Sequence, residues 1–518
     1  MEHGKLLNYL VDIFVPILTT LPLPDYSEQV KTALEQAVFC LYAHPSKKSK
    51  ARHLTDHNVS QLGLTWPRAL VLYRYVVPAK LPEHDDVKTL SINMDTENLL
   101  RRIVSLVPDS VHVEKRKQVA MDYLTGKTKK MRKLSKLKTL PEEARDLFYL
   151  LADYAFKSNS DMENAIKYYA IDLTFNRERF DSWAVLALSQ GSKMDLKLNG
   201  CQLLVPQKML SEIESVEMCY NECLRINDKN SNLWIEFGNF CYGIHSYISR
   251  TLNNNSENLN FETFEKLEKK KEQFLKLALQ NYEKTLEIFE RDGIHENDVD
   301  ERWLLLFMIG KIKEKQGMEL TSCLDFYIKS IGFLRKNEIT MPRKINYNNP
   351  QDFSIEALEV YYRIHASILK TIAKAEKEKK EVPEDICRKF YEVLKTTQLD
   401  EIYTTNSPQN KVDRFSNKRK LAKVDDDKGN KMTRQDETST TIMRDVLEVV
   451  DTMIDDIEFT NNTIKYSMDN LAKLCLSGLE DVVFHFFHHF KALYRMAHYY
   501  RTSTSMKNPV KVKNKTQG

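Results

Sequence analysis

Chain breakers are scarce in this sequence. Its 14 glycines and 15 prolines among 518 residues are about half of ordinary usage. So few breakers over so long a chain argue for a mostly helical fold, too long for one compact core and suited to several domains or an array of small repeats. A dominant charge is missing too. Lysine and arginine number 77 against 73 aspartates and glutamates, a formal net charge of +4, which provides no global field for nucleic acid or a membrane surface. The eight cysteines form no CxxC pair, which argues against zinc spacing and a secreted disulfide framework and for reduced intracellular thiols. Cys219 and Cys223 are four apart, yet without histidines at ligand spacing they read as buried small hydrophobes.

Long apolar runs are also absent. No window reaches the ~18 to 20 residues that a membrane span needs. The apolar opening LLNYLVDIFVPILTTLPLP is broken by Asp12 and Pro16, and Met1 to Lys5 make a poor signal n-region, so the chain is expected to be soluble and not secreted. Catalytic motifs are missing as well: there is no glycine-rich nucleotide fingerprint, HExxH, GxSxG or kinase signature. TGKTKK at 125–130 ends like a phosphate-binding loop, but Met121 stands where the first glycine is required. Two glycosylation-like sequons, at Asn58 and Asn461, lack a secretory context. No enzyme activity, catalytic residue, metal or cofactor is expected.

What the sequence does contain is helical periodicity with recurring units. A tetratricopeptide unit places a large aromatic, then apolar and small residues, on the first helix of a pair. Phe148, Leu151, Ala152 and Ala155 fit that order, Trp183, Leu186 and Ala187 begin it again, and Trp234, Phe237, Gly238 and Cys241 complete it. A fourth unit is shifted, with Leu306, Ile309 and Gly310 in register, Gly317 at the turn, and Ser322 and Phe326 on the second helix. Small residues let paired helices approach closely, and the aromatic fills the seam to the next unit. Second helices are predicted over Met162 to Phe175, Met209 to Ile226, Phe261 to Arg291 and Glu319 to Arg335. The expected architecture is an all-α, irregular tetratricopeptide-like α-solenoid of helical hairpins with disordered linkers.

Along the chain this gives an N-terminal helical region at 1–125, a basic linker at 126–141, the repeats at 142–338 and further solenoid helices at 339–403. A disordered linker at 404–441, C-terminal helices with a partial repeat at 442–502 and a disordered tail at 503–518 complete the division. In the N-terminal region Val30, Ala33, Leu34, Ala37, Val38 and Leu41 form one apolar face. The polar TLNNNSENLN at 251–260 reads as a linker; Asp352 or Ser354 is placed to cap the helix that follows Pro350, and Pro383 begins another.

Two basic clusters, KTKKMRKLSKLK at 127–138 and NKRKLAK at 417–423, are candidate nuclear-import signals. Lys129, Lys130, Arg132 and Lys133 belong to the first, and Lys418, Arg419 and Lys420 to the second. The stretch VVFHFFHHFKALYRMAHYY holds His485, His488, His489 and His498. His485 and His489 would share a helix face, a usable metal spacing, but no carboxylate is in register. The plainer reading is that Phe484 to His489 ends a helix and turns, while Phe490, Leu493, Tyr494 and Ala497 supply the buried face of the next.

Several ordered segments resemble one family. They are ALEQAVFCLYAHPSKKSKARHL (33–54), YLLADYAFKSNSDMENAIKYYAIDL (149–173), RFDSWAVLAL (179–188), LWIEFGNFCYGIHSYISR (233–250), KINYNNPQDFSIEALEVYYRIHASILK (344–370) and HFKALYRMAHYY (489–500). The family is that of the calcineurin-binding protein Cabin, the large tetratricopeptide subunit of the HIRA histone-chaperone complex, with a fungal counterpart in the Hir complex. The resemblance implies a nuclear, non-enzymatic scaffold working with HIRA and ubinuclein-type subunits in replication-independent nucleosome assembly, with histones as indirect partners and direct histone contact left open. Members of that family are several times longer, which implies a partial chain or an alternative end here. Their calcineurin-docking motif has no counterpart: Pro342 to Tyr347 reads PRKINY, with Lys344 where isoleucine is wanted, so calcineurin is not an expected partner. No membrane and no sequence-specific nucleic acid are expected either.

A helical-repeat RNA-processing factor is the alternative of a different class; it predicts steeply salt-sensitive RNA binding by the whole array. The near-neutral charge and the lack of an aromatic-plus-basic RNA platform stand against it. An enzyme would require a pocket of convergent titratable groups.

Overall fold

A computed structural model of the chain describes residues 4–20, 27–45, 62–85, 90–128, 131–132, 134, 136–158, 162–200, 206–255, 259–294, 300–337, 344–348, 350, 353–397, 466–503 and 506–507. The expected helix at Ile442 to Ile457, the expected disorder at 404–441, Cys201, Asp352 and most of the tail lie outside these. The described residues are all-α, with no strand among them. The chain divides into two compact units, residues 1–278 and 279–518, a division that falls inside the segment 142–338.

In the first unit α1 (Lys5–Thr20), α2 (Ser27–Tyr42), α3 (Trp66–Val76), α4 (Met94–Val104) and α5 (Val113–Leu124) precede α6 (Leu147–Lys157) and α7 (Met162–Phe175). Then come α8 (Phe180–Asn199), α9 (Pro206–Ile226) and α10 (Ser231–Asn255), with α11 (Phe261–Asp292) running past the unit's end. Neighbours in sequence pack on one another: α1 on α2, α6 on α7, α7 on α8, α8 on α9 and α9 on α10. The buried stripes explain this. Leu147, Phe148, Leu151, Ala152 and Ala155 line one side of α6, and Ala165, Ile166, Tyr169, Ala170 and Leu173 answer from α7. On α2, Leu34, Ala37, Val38 and Leu41 are buried as the periodicity predicts, but Ala33 is exposed, at the polar edge of the stripe.

The second unit contains α12 (Arg302–Lys315), α13 (Leu320–Lys336), α14 (Ser354–Glu378), α15 (Glu384–Thr396), α16 (Met468–His485) and α17 (Phe490–Thr502). Helices α12 and α13 form a hairpin whose turn uses Gly317 at φ +83°, a conformation that a side chain would strain. Helix α14 packs against α13, α16 and α17, and α15 against α13 and α16. One apolar core joins Trp303, Leu324, Tyr327, Ile364, Ile368, Phe390, Leu479 and Met496 across all six helices.

Four local readings need correction. Helix α10 continues to Asn255, through the first half of the polar 251–260 segment, because Ile244, Ile248 and Leu252 keep a buried stripe going. On α13 the buried face is Cys323, Leu324 and Tyr327; Ser322 is exposed and Phe326 half-buried, a shift of one residue from the predicted register. Ser354 does not cap α14: Phe353, at φ +62°, is the cap residue with no side-chain hydrogen bond, and Ser354 is buried in the first turn. Tyr494 does not pack inward either, as described below.

Among the described residues, no helix is long and apolar enough to cross a membrane.

Candidate functional site

Of the expected packing positions, Phe148, Ala152, Trp183 and Ala187 are fully buried, and Gly238 and Gly310 are buried too. Phe148 stacks on Phe175 with centroids 5.9 Å apart. Trp183 meets Tyr123 edge-on at 6.0 Å and donates its indole N–H to Arg177 O at 2.9 Å, which satisfies the one polar atom it buries. Trp234 is only half-buried and donates to Asp228 O at 2.8 Å. A Cβ at Gly310 would lie 2.6 Å from Tyr327 Cε1, so glycine is what lets α12 and α13 meet. Tyr494 is 65% exposed and Phe490 60%. The inward row of α17 is Ala492, Leu493, Met496, Ala497, Tyr499 and Tyr500; Tyr494 sits two residues from Met496, about 200° round the helix.

The four histidines take four environments. Helix α16 stops at His485 and Phe486 is extended, so His485 and His489 never share a helical face. His489 caps α17: its Nδ1 accepts from Ala492 N at 3.2 Å, and its Nε2 lies 3.4 Å from Glu359 Oε1. Lys491 Nζ reaches the same Glu359 oxygen at 2.6 Å. Burial alone would raise the Glu359 pKa, but hydrogen bonds from His489 and Lys491 pull it down to about 2. His488 lies tilted against Tyr347 with ring centroids 4.7 Å apart, and His498 is exposed beside Tyr494. Among the described residues no group of three or more His, Cys, Asp and Glu side chains is placed to hold a metal ion. The cysteines described are buried and form no disulfide with one another.

Of the first basic cluster, Lys129, Lys130 and Lys133 lie outside the described residues, as do Lys418, Arg419 and Lys420 of the second. Arg132 is described and exposed. The loop around it is anchored: Met131 and Leu140 are buried, and Arg177 donates to Met131 O. The second anchor is Arg116, which is only 1% exposed. It is held by carbonyls, donating to Val111 O at 3.0 Å, Thr174 O at 3.3 Å and Lys138 O at 3.1 Å, with its guanidinium 4.2 Å from the Phe175 ring centroid. Burial lowers its pKa. Nothing in the sequence run EKRKQ singles out this arginine from its exposed neighbours.

The first unit also has an open cavity of about 620 Å³ where the 81–84 segment meets α6, α8 and the α7–α8 turn, lined in part by Glu83, Arg145, Tyr149, Asn176, Arg179 and Asp181. Its groups are committed to one another. Arg179 pairs with Asp146, approaches Asp172 at 3.4 Å and lies 4.5 Å over Tyr149. Asp172 accepts from Ser182 Oγ at 2.7 Å and Asn176 Nδ2 at 2.8 Å, and burial lifts its pKa to about 6 despite Arg179. Asp181 accepts from the backbone and ring of His84 at 3.0 and 3.2 Å. This network locks the α7–α8 turn to the 81–84 segment, a chemistry of holding and docking. Sequence spacing could not reveal it, since the partners lie up to 97 residues apart.

No protein-family model matches the chain.

Proposed function

We propose that the chain is a non-enzymatic scaffold subunit of a HIRA-type histone-chaperone complex, an α-solenoid of tetratricopeptide-like hairpins acting in the nucleus in replication-independent nucleosome assembly. The observation that carries this reading is the placement of the family-like segments. The stretch EALEVYYRIHASILK lies on α14 and HFKALYRMAHYY on α17, two helices far apart in sequence, ending at Glu378 and starting at Phe490, that pack together in one core. RFDSWAVLAL likewise begins α8, whose Ser182 and Trp183 close the turn from α7. The residues that carry the resemblance are therefore those that set helix-to-helix geometry, as a scaffold requires.

Affinity purification from nuclear extract with the tagged chain is expected to recover HIRA and ubinuclein-type subunits. Recovery of neither, while another subunit used as bait brings both down, would overturn the reading. Salt-sensitive RNA binding by the purified chain in place of these subunits would favour an RNA-processing role. For nuclear entry both clusters are candidates, the first carried by a loop tied down at Met131 and Lys138. Alanine at 418–420 and at Lys129 and Lys130, made separately and together, is expected to move a fluorescent fusion toward the cytoplasm; a fusion that stays nuclear with both clusters replaced would rule them out.

A further inference from the structure

The solvent face of α17 is aromatic and basic. Phe490, Tyr494 and His498 stand four residues apart in one row, with Phe490 60% and Tyr494 65% exposed. The row continues past the helix start: His488 meets Phe490 at 6.2 Å and Tyr347, itself 63% exposed, leans on His488 at 4.7 Å. Large aromatics exposed contiguously mark interaction surfaces. Helix α17 has no acidic residue, while Lys491, Arg495 and Arg501 flank the row.

The surroundings add to this charge. Lys311 of α12 feels Arg363 of α14 and Lys491 of α17, and burial together with these cations lowers its pKa to about 8. The nearby carboxylates are occupied. Glu314 accepts from Tyr327, Arg363 and Ser367 at 3.0 to 3.1 Å, and Glu359 from Lys491 at 2.6 Å. The Arg495 Nε is buried with no hydrogen-bond partner in the structure. Glu376 of α14 accepts from Tyr499 at 2.7 Å, and since Arg363 and Lys491 are paired with Glu314 and Glu359, Arg495 and Arg501 are the α17 cations left without a carboxylate among the described residues, beside an uncovered aromatic ridge.

We infer that this face of α17 is a docking surface for an acidic amphipathic helix of a partner protein, whose apolar row packs along Phe490, Tyr494 and His498 while its carboxylates face Arg495 and Arg501. A ridge at four-residue spacing is the shape that fits the groove of another helix. Charge complementarity selects the sign. The rings lean on one another at 34° to 82° and do not present the open parallel faces on which bases stack. The inference goes beyond the proposed function and does not depend on which complex the chain serves.

The test uses the full chain and two synthetic helical 18-residue probes with leucine at helical spacing, one bearing glutamates and the other lysines, read by fluorescence anisotropy. The glutamate peptide is expected to bind at least about tenfold tighter than the lysine peptide, and Phe490→Ala/Tyr494→Ala and Arg501→Glu each to weaken it by about tenfold. Both changes are on exposed positions, so an unaltered unfolding temperature separates lost docking from lost folding. Equal binding of both peptides, or binding untouched by the substitutions, overturns the inference. So does an oligonucleotide that competes at this face, a dimer that dissociates on Tyr494→Ala, or glutamate-peptide binding that appears only after residues 442–459 are removed, which would make the occupant a nucleic acid, a second copy or the chain's own acidic stretch.

Discussion

Gly478 on α16 faces the ring of His365 on α14. A Cβ built at Gly478 would overlap three atoms of that ring, all closer than the 3.0 Å that real Cβ contacts respect. His365 is itself only 5% exposed and has no room to retreat. Overpacking a core typically costs about 1–3 kcal/mol, and three simultaneous overlaps against a confined ring place Gly478→Ala near the upper end. Alanine also favours a helix interior over glycine by ~1 kcal/mol. The net expectation is a loss of about 2 kcal/mol, or roughly 30-fold in the opening equilibrium of the second unit. Hydrogen exchange of peptides from α14 and α16 reads this unit separately from the first. Removing the ring should reverse the sign: in a His365→Ala background Gly478→Ala should be neutral or stabilising by up to ~1 kcal/mol, since only helix propensity remains. A stabilising Gly478→Ala in the unmodified chain, or an equal cost in both backgrounds, would refute the packing argument.

Three further outcomes follow from buried charge. Burial holds the folded His365 pKa down at about 4, against about 6.5 unfolded. Its contribution to stability is therefore present above pH 6.5 and lost as pH falls toward 4, by about 3 kcal/mol at most; exchange protection of α14 measured across that range should drop, and His365→Gln should flatten the profile. Asp172 in the first unit runs the other way: burial raises its folded pKa to about 6, so protonation stabilises the α7–α8 turn as pH falls from 6 toward 4, and Asp172→Asn should abolish that gain in exchange protection. Arg116→Ala strands the Val111 carbonyl, the part-buried carbonyls of Thr174 and Lys138 and a packed ring, so a loss of about 3 kcal/mol in chemical denaturation is expected, with Arg116→Lys recovering only part because it lacks the guanidinium fork.

How much of this was legible beforehand depended on whether the signal was local. The limits of α7, at Met162 and Phe175, and of α11, starting at Phe261, fall where the periodicity predicts, because a long amphipathic stripe with few breakers leaves little freedom. Phe148, Ala152, Trp183 and Ala187 were readable as core for the same reason. Tyr494 and Phe490 defeat the expectation that large aromatics on an amphipathic helix face inward. The row Ala492, Met496, Tyr499 and Tyr500 already filled the seam, leaving those two on the far side. The one-residue shift on α13 follows from where the chain leaves Gly317 and enters the helix at Leu320, a tertiary detail without a sequence mark. Arg116, the Arg179 network and the Gly478–His365 contact were invisible because each joins residues far apart in the chain, and nothing in their own neighbourhoods distinguishes them.

The central claim is that this chain holds other subunits of a histone-deposition complex. A cross-linking map of the chain within nuclear complexes tests it most directly: the account predicts cross-links from lysines of the helical units to HIRA and ubinuclein-type subunits. Cross-links to RNA-processing proteins alone, with HIRA-type subunits uncrosslinked but present in the same extract, would contradict it.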